Sequence, residues 1–241
     1  MTTTLVGAAT DQPAGHCAGY TPGEKNLYWG DLHVHTAYSL DAWGYGTFNT
    51  PADAIAFARG GATKLPDGSP AQLRRPLDFV AVTDHAEWLD LLYLCTDPEW
   101  IENPYCNVLR EKNAPATGRE VFNEYVVPTI ALAEPAQTPI CEKDPERCKK
   151  ASLSQWQRIQ SQVNEGDTPC EFTALLGYEW SGTPNFSHSH RNIIFANENV
   201  TEEAIDFIRY PSWRQLWEAL DEQCNPEDGC EVLADLRYGG W

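Results

Sequence analysis

The chain has 241 residues and a formal net charge of −18, from 17 Lys and Arg against 35 Asp and Glu. That balance excludes the basic surface needed for non-specific nucleic-acid binding and disfavours anionic membrane surfaces. With 42% hydrophobic residues, 11% aromatics and nine tryptophans, the composition is that of a globular chain long enough for a sizeable core. No run of about 18 apolar residues marks a transmembrane helix.

Residues 1 to 25 are small and polar and read as a flexible lead-in; Met1–Gly19 lacks the basic and apolar regions of a signal peptide. His16 lies there as a solvated bystander. A buried strand is expected from Tyr28 to Thr36, with Tyr28, Leu32 and Val34 as its apolar residues around His33 and His35. Residues two apart on a strand share a face, so both imidazoles can reach one ion. Asn49-Thr50-Pro51-Ala52-Asp53 then reads as a helix start: Thr50 caps, Pro51 takes the first position, Asp53 completes a capping box, and Gly60-Gly61 stops the helix. Leu77–Val82 is continuously apolar apart from Asp78, as in a strand covered on both faces, and it runs into Thr83-Asp84-His85. Strand, helix, strand is a βαβ unit, which places the ends of both strands on one sheet edge.

Residues 86–170 form a long Cys-containing insertion without a clear strand, with helices expected near Glu120–Ala133 and Ser154–Val163. It reads equally well as a stapled cover over the site mouth and as a surface insertion. A third strand, Glu171–Trp180, presents Glu179 near its end. His188-Ser189-His190-Arg191 leads into a fourth apolar strand, Thr201 is expected to cap a helix through Ile208, Ser212 to start another, and Glu231–Ala234 to begin a fifth strand. Cys95/Cys106, Cys141/Cys148 and Cys224/Cys230 flank loop-like sequence and are expected to form local disulfides, which points to a periplasmic or secreted protein.

Five of the six histidines therefore sit at strand ends or starts, together with Asp41, Asp84 and Glu179. Imidazole with carboxylate suits zinc, manganese or iron, and a carboxylate can bridge two ions, so these residues form a candidate multinuclear metal site. Asp41, six residues past His35, can curl back to the same centre.

The motifs Asp31-Leu32-His33-Val34-His35-Thr36 with Ser39 and Asp41, Val82-Thr83-Asp84-His85, and Gly177-Tyr178-Glu179 resemble the PHP (polymerase and histidinol phosphatase) superfamily. Tyr28-Trp29-Gly30-Asp31 and His190–Phe195 resemble a bacterial PHP-like branch of unknown function. The resemblance implies an α/β fold of the distorted (β/α)7 barrel type over residues 26–241, with two or three divalent ions at the strands' carboxyl ends. It implies hydrolysis of a small-molecule phosphoester by a metal-activated water. By resemblance, His33 and His35 hold a first ion, Glu179 bridges to a second held also by His190 (His188 is the weaker candidate), and Asp41 and His85 hold a third. Asp84 would orient a ligand from behind. Arg191, read from its place beside the site, would bind a phosphate oxygen, or else serve as a salt bridge on the sheet edge. The superfamily's late histidine and Asp-x-His pair have no counterpart after His190, so the barrel reads as incomplete and the chain as truncated. The rival readings are an amidohydrolase-type metal hydrolase, which also opens on H-x-H, and an inactive metal-binding domain.

Overall fold

The structure, a computed structural model, describes residues 25–96, 102–110 and 116–236. Apart from Lys25, the expected lead-in with His16 and Cys17 lies outside them. The strands among these residues are β1 (Gly30–Val34), β2 (Thr63–Lys64), β3 (Pro70–Ala71), β4 (Phe79–Val82), β5 (Thr173–Gly182), β6 (Ser189–Phe195) and β7 (Val232–Leu236). The helices are α1 (Leu40–Gly44), α2 (Pro51–Ala58), α3 (Leu89–Thr96), α4 (Asn107–Arg110), α5 (Ala116–Val121), α6 (Pro139–Lys143), α7 (Pro145–Gly166) and α8 (Trp213–Gln223).

β2 and β3 form a small antiparallel hairpin, while the other five strands make one mixed sheet in the order β1-β4-β5-β6-β7. β1, β4 and β5 run parallel, as the βαβ reading requires, and β6 and β7 each pair antiparallel with the strand before them in that order. The α/β class holds, but among the described residues the expected distorted, incomplete (β/α)7 barrel is an open five-stranded mixed sheet with helices. The cause of the reversal at β6 is local: a short turn at Pro184–Phe186 returns the chain directly, and only a longer crossover could have delivered a parallel strand. The same reversal puts the start of β6, not its end, on the edge where β1 and β4 finish.

Helix α2 starts as the sequence predicts: Thr50 accepts from the backbone N–H of Asp53, the Asp53 side chain accepts from that of Thr50, and Pro51 occupies the first turn. Gly60, at φ 92°, follows in the left-handed conformation that a glycine adopts without a Cβ penalty. The described residues of the 86–170 segment are largely helical, and its longest helix is built into the core. Helix α7 packs on α3, α2 and β5, and its Trp156, Ile159 and Val163 are fully buried. This apolar stripe joins Leu89, Leu91 and Leu92 of α3 in the core beside the sheet, a layer of the fold rather than a lid.

Three helix boundaries differ from expectation. α7 begins at Pro145, capped by Asp144, and Ser154 lies inside it with its hydroxyl donating to Lys150 O at 2.8 Å. The helix expected over Glu120–Ala133 is α5 followed by one π-helical turn at Phe122–Val126. Residues 201–208 form no helix: Thr201 Oγ1 donates to Glu203 O at 2.7 Å, and the backbone N–H of Phe207 is taken at 2.9 Å by the carboxylate of Glu87, a tertiary bond that competes with a helical one. Ser212 does cap α8, accepting from the backbone N–H of Gln215.

The disulfides Cys95–Cys106, Cys141–Cys148 and Cys224–Cys230 form as expected, and Cys170 is disulfide-bonded as well. Such bonds persist in oxidising, extracellular-type compartments. No helix among the described residues is long and apolar enough to cross a membrane.

Candidate metal centre

Parallel pairing brings the carboxyl ends of β1 and β4 alongside the longer β5. Val34 pairs with Val82, Val82 with Leu176, and His85 forms an isolated bridge with Glu179. β1 carries a bulge between Asp31 and Val34 just where His33 sits. Past it, the His33 and His35 rings lie edge to face with centroids 4.8 Å apart. On β5, Glu179 and Ser181 face the centre while Tyr178 and Trp180 alternate into the core, where the Tyr178 ring meets Trp156 at 5.6 Å. Close strand approach underneath depends on Gly177, where a Cβ would stand 2.7 Å from Ile193 O.

Glu179 is the hub. Its Oε2 lies 3.2 Å from His33 Nε2, 2.8 Å from His35 Nε2 and 3.4 Å from His85 Nδ1, and its Oε1 lies 2.8 Å from His190 Nδ1. Burial alone would raise this carboxyl, but the charge of His85 and the hydrogen bonds from His190, His33 and His35 outweigh it and hold it well below the usual carboxylate range. Asp41 curls back as expected: both its oxygens are 3.1 Å from His35 Nδ1, and Oδ2 is 3.6 Å from His85 Nε2. Its carboxyl is also held far down, because the charge of His85 and the bond from His35 override burial. Burial works the other way on His35, yet Asp41 and Glu179 raise its imidazole to about 10.

Three overlapping groups of potential ligands result: His33/His35/Glu179, His35/Asp41/His85 and His85/Glu179/His190. Around one tetrahedral ion with ligands at 2.0–2.2 Å, neighbouring ligand atoms stand roughly 3.3 Å apart, close to the separations found. His190 Nε2 is buried with no hydrogen-bond partner, a donor-or-acceptor atom that protein groups leave unused. The donor set of imidazoles and carboxylates therefore fits divalent metal ions. A fourth group, Asp90/Cys141/Cys148, offers no thiolate because its cysteines are joined.

His33, His35, Asp41, His85, Glu179 and His190 thus converge as the sequence predicts. Asp84 does not join them. It is fully buried behind β1, accepting from the Thr36 N–H at 2.5 Å and the Thr36 hydroxyl at 2.8 Å, which clamps the end of β1 to the end of β4. Burial pushes its carboxyl up to about 6. His188 is exposed and belongs to none of the three groups, its ring 5.9 Å from that of His190. Arg191 pairs with Trp180 in the β5–β6 register, and so lies on the face opposite Glu179; its guanidinium is 5.8 Å from the Trp180 ring and donates to Ser189 O at 2.9 Å. Three polar residues that the motifs did not place in roles complete the surroundings. Ser39 donates to Asp41 at 2.6 Å and lies 3.2 Å from His35 Nδ1, while Ser181 and Glu87 stand behind His85. The i, i+2 spacing in His85-Ala86-Glu87 and Glu179-Trp180-Ser181 was the available signal for the last two.

A family model described as a protein of unknown function, DUF3604, matches residues 22–235. No curated protein and no solved structure matches the chain.

Proposed function

The chain belongs to the DUF3604 family, and within it we propose a metal-dependent hydrolase of the PHP type acting on phosphoesters. The observation that carries the reading is Glu179, one buried carboxylate contacted by four imidazoles at the edge where the parallel strands end. His33, His35 and Glu179 would hold one ion, Glu179, His190 and His85 a second, with Asp41 and His85 available to a third. Zinc, manganese or iron suits this donor set. Bound ions of this kind supply Lewis acidity: they acidify a water and neutralise charge on a phosphoryl group.

The chain's own residues supply position and electrostatics. Asp41 and Ser39 hold His35 by Nδ1, which turns its Nε2 toward Glu179. Asp84 fixes the backbone of Thr36, and with it the angle at which His35 leaves β1. Glu179 remains ionised despite burial, which keeps its oxygens available as ligands. Bound cations would supply the positive field that holds a phosphate dianion beside these carboxylates. The disulfides support action in an oxidising compartment such as the periplasm or the exterior.

The test is metal analysis together with hydrolysis of bis(p-nitrophenyl) phosphate and p-nitrophenyl phosphate. We expect more than one equivalent of metal and measurable turnover, both lost in His33→Ala and His85→Ala. Stoichiometric metal with no turnover on these esters would instead assign a metal-binding module, and turnover confined to amide substrates would assign the amidohydrolase chemistry.

A further inference from the structure

Each imidazole that ligates a cation must present a bare nitrogen, so something must decide where its single proton resides. At His85 the surroundings make that decision. The Ser181 Oγ lies 2.6 Å from His85 Nδ1 and also donates to Glu87 Oε2 at 2.7 Å. A hydroxyl has one proton; given to Glu87, it leaves Oγ as the acceptor toward His85. Glu87 Oε1 is occupied by two backbone donors, the N–H groups of Ser181 and Phe207, each at 2.9 Å. All three donors to Glu87 are neutral, and its side chain is completely buried. Such a carboxylate costs free energy to desolvate, and no cation is hydrogen-bonded to it in return. Its placement is therefore explained by what it orients.

Two further carboxylate oxygens face the same imidazole nitrogen, Glu179 Oε2 at 3.4 Å and Glu87 Oε2 at 3.9 Å. Acceptors on every side of Nδ1 favour a proton there. The opposite nitrogen, Nε2, looks toward Asp41 at 3.6 Å, a separation suited to two ligands sharing one ion.

We propose that Glu87 is a positioning residue that acts through Ser181 to hold His85 with its proton on Nδ1 and its free lone pair on Nε2, directed at the Asp41 side of the centre. The proposal deepens the reading of His85 as a metal ligand and rests on it for its purpose, although the tautomer is measurable without any metal. It also explains why the chain places the pair His85/Glu87, just past the end of β4, beside the pair Glu179/Ser181 on β5.

The experiment is long-range 1H–15N correlation of the imidazole nitrogens in metal-free protein, at a pH above the titration of His85 so that its ring is neutral, with His85 assigned by the signals missing in His85→Gln. We expect a single Nδ1–H tautomer in the wild-type chain. In Ser181→Ala and Glu87→Gln the pattern should shift toward mixed tautomers, and Zn2+ affinity, read by competition with a chromophoric chelator, should fall 10- to 100-fold. Ser181→Thr keeps the hydroxyl and should retain the wild-type pattern, and circular dichroism of each variant separates misfolding from loss of orientation. A wild-type Nε2–H tautomer would overturn the proposal without needing any variant. So would an unchanged tautomer in both folded variants. The expected tautomer in a protein that binds no Zn2+ would refute the metal-centre reading while leaving the Glu87–Ser181–His85 orientation intact.

Discussion

Two clusters of carboxylates lie back to back in this molecule, and desolvation acts on both in the same direction with opposite outcomes. At the sheet edge, Glu179 and Asp41 are ringed by imidazoles, and both carboxyls are held far below their ordinary range. Behind it, Glu87, Asp90 and Asp206 line a cavity of about 230 Å3 that also touches the Cys141–Cys148 disulfide. There, burial pushes Asp90 up to about 7 and raises Asp206 and Glu87, although Arg209 bonds Asp206 at 2.5 Å. Desolvation sets the size of the problem in both places, and the neighbours decide how it is resolved. Imidazoles that converge on a carboxylate keep it ionised and available as a ligand. Carboxylates that converge on one another are shifted the opposite way, toward the proton-binding side.

Removing the charge at the hub should give the largest effect. Glu179→Gln keeps the shape of the side chain and is expected to weaken Zn2+ binding by about 100-fold or more, close to 3 kcal/mol, by competitive chelator titration. If affinity were unchanged, the two clusters would not differ in the way described. Next, the wall of the rear cavity can be opened: replacing Cys141 and Cys148 by serine releases a loop of sequence separation 7, worth roughly 2 kcal/mol by loop entropy, and should lower the thermal midpoint. Zn2+ affinity should stay put, because neither sulfur serves the centre; a parallel loss would show that the clusters are one unit.

Asp90 provides the test of sign. The groups facing it include Asp206, which raises its carboxyl, and Arg209, which lowers it. A carboxyl with a raised folded-state value binds its proton more tightly folded than unfolded. Its burden on stability is therefore absent below about pH 4, grows as pH climbs toward 7, and is constant above. Asp90→Asn should remove that slope and stabilise the protein at pH 8 by roughly 1–2 kcal/mol, a figure discounted for the residue's partial exposure in the cavity, with no gain at pH 4. Urea unfolding at the two pH values reads it directly, and equal effects at both would show that Asp90 is ionised throughout. The smallest effect is expected from a change remote from both clusters. Thr50→Ala removes the capping box of α2 and should cost about 1 kcal/mol, read in the same urea experiment, with Zn2+ affinity untouched.

Local chemistry explains which expectations held. The α2 cap, the α8 cap, the three disulfides and the strands around His33, Asp84, Glu179 and His190 each depend on residues within about a dozen positions of one another. The failures came where distant groups intervened. Residues 201–208 carry a capping threonine, yet Glu87, far away in sequence, draws the Phe207 N–H out of any helix. Ser154 looked like a helix start because the true start, Asp144-Pro145, lies behind a disulfide-bridged turn whose own signal is weak. Arg191 adjoins a ligand in sequence, but strand alternation sends it to the opposite face.

What the amino-acid sequence determined by itself is the inventory of the centre and its rough location. Period-two spacing and apolar runs identify strands, and histidines at their ends mark one edge of a parallel sheet. What only the tertiary structure decided is convergence: the open mixed sheet, the antiparallel return that brings His190 to Glu179, the approach of Asp41 to His85, and the pairing of Ser181 with Glu87. The physical reason is that strand direction and register arise from pairing between segments as far apart as Phe79 and Thr173, and a single reversed strand exchanges its start for its end at the site.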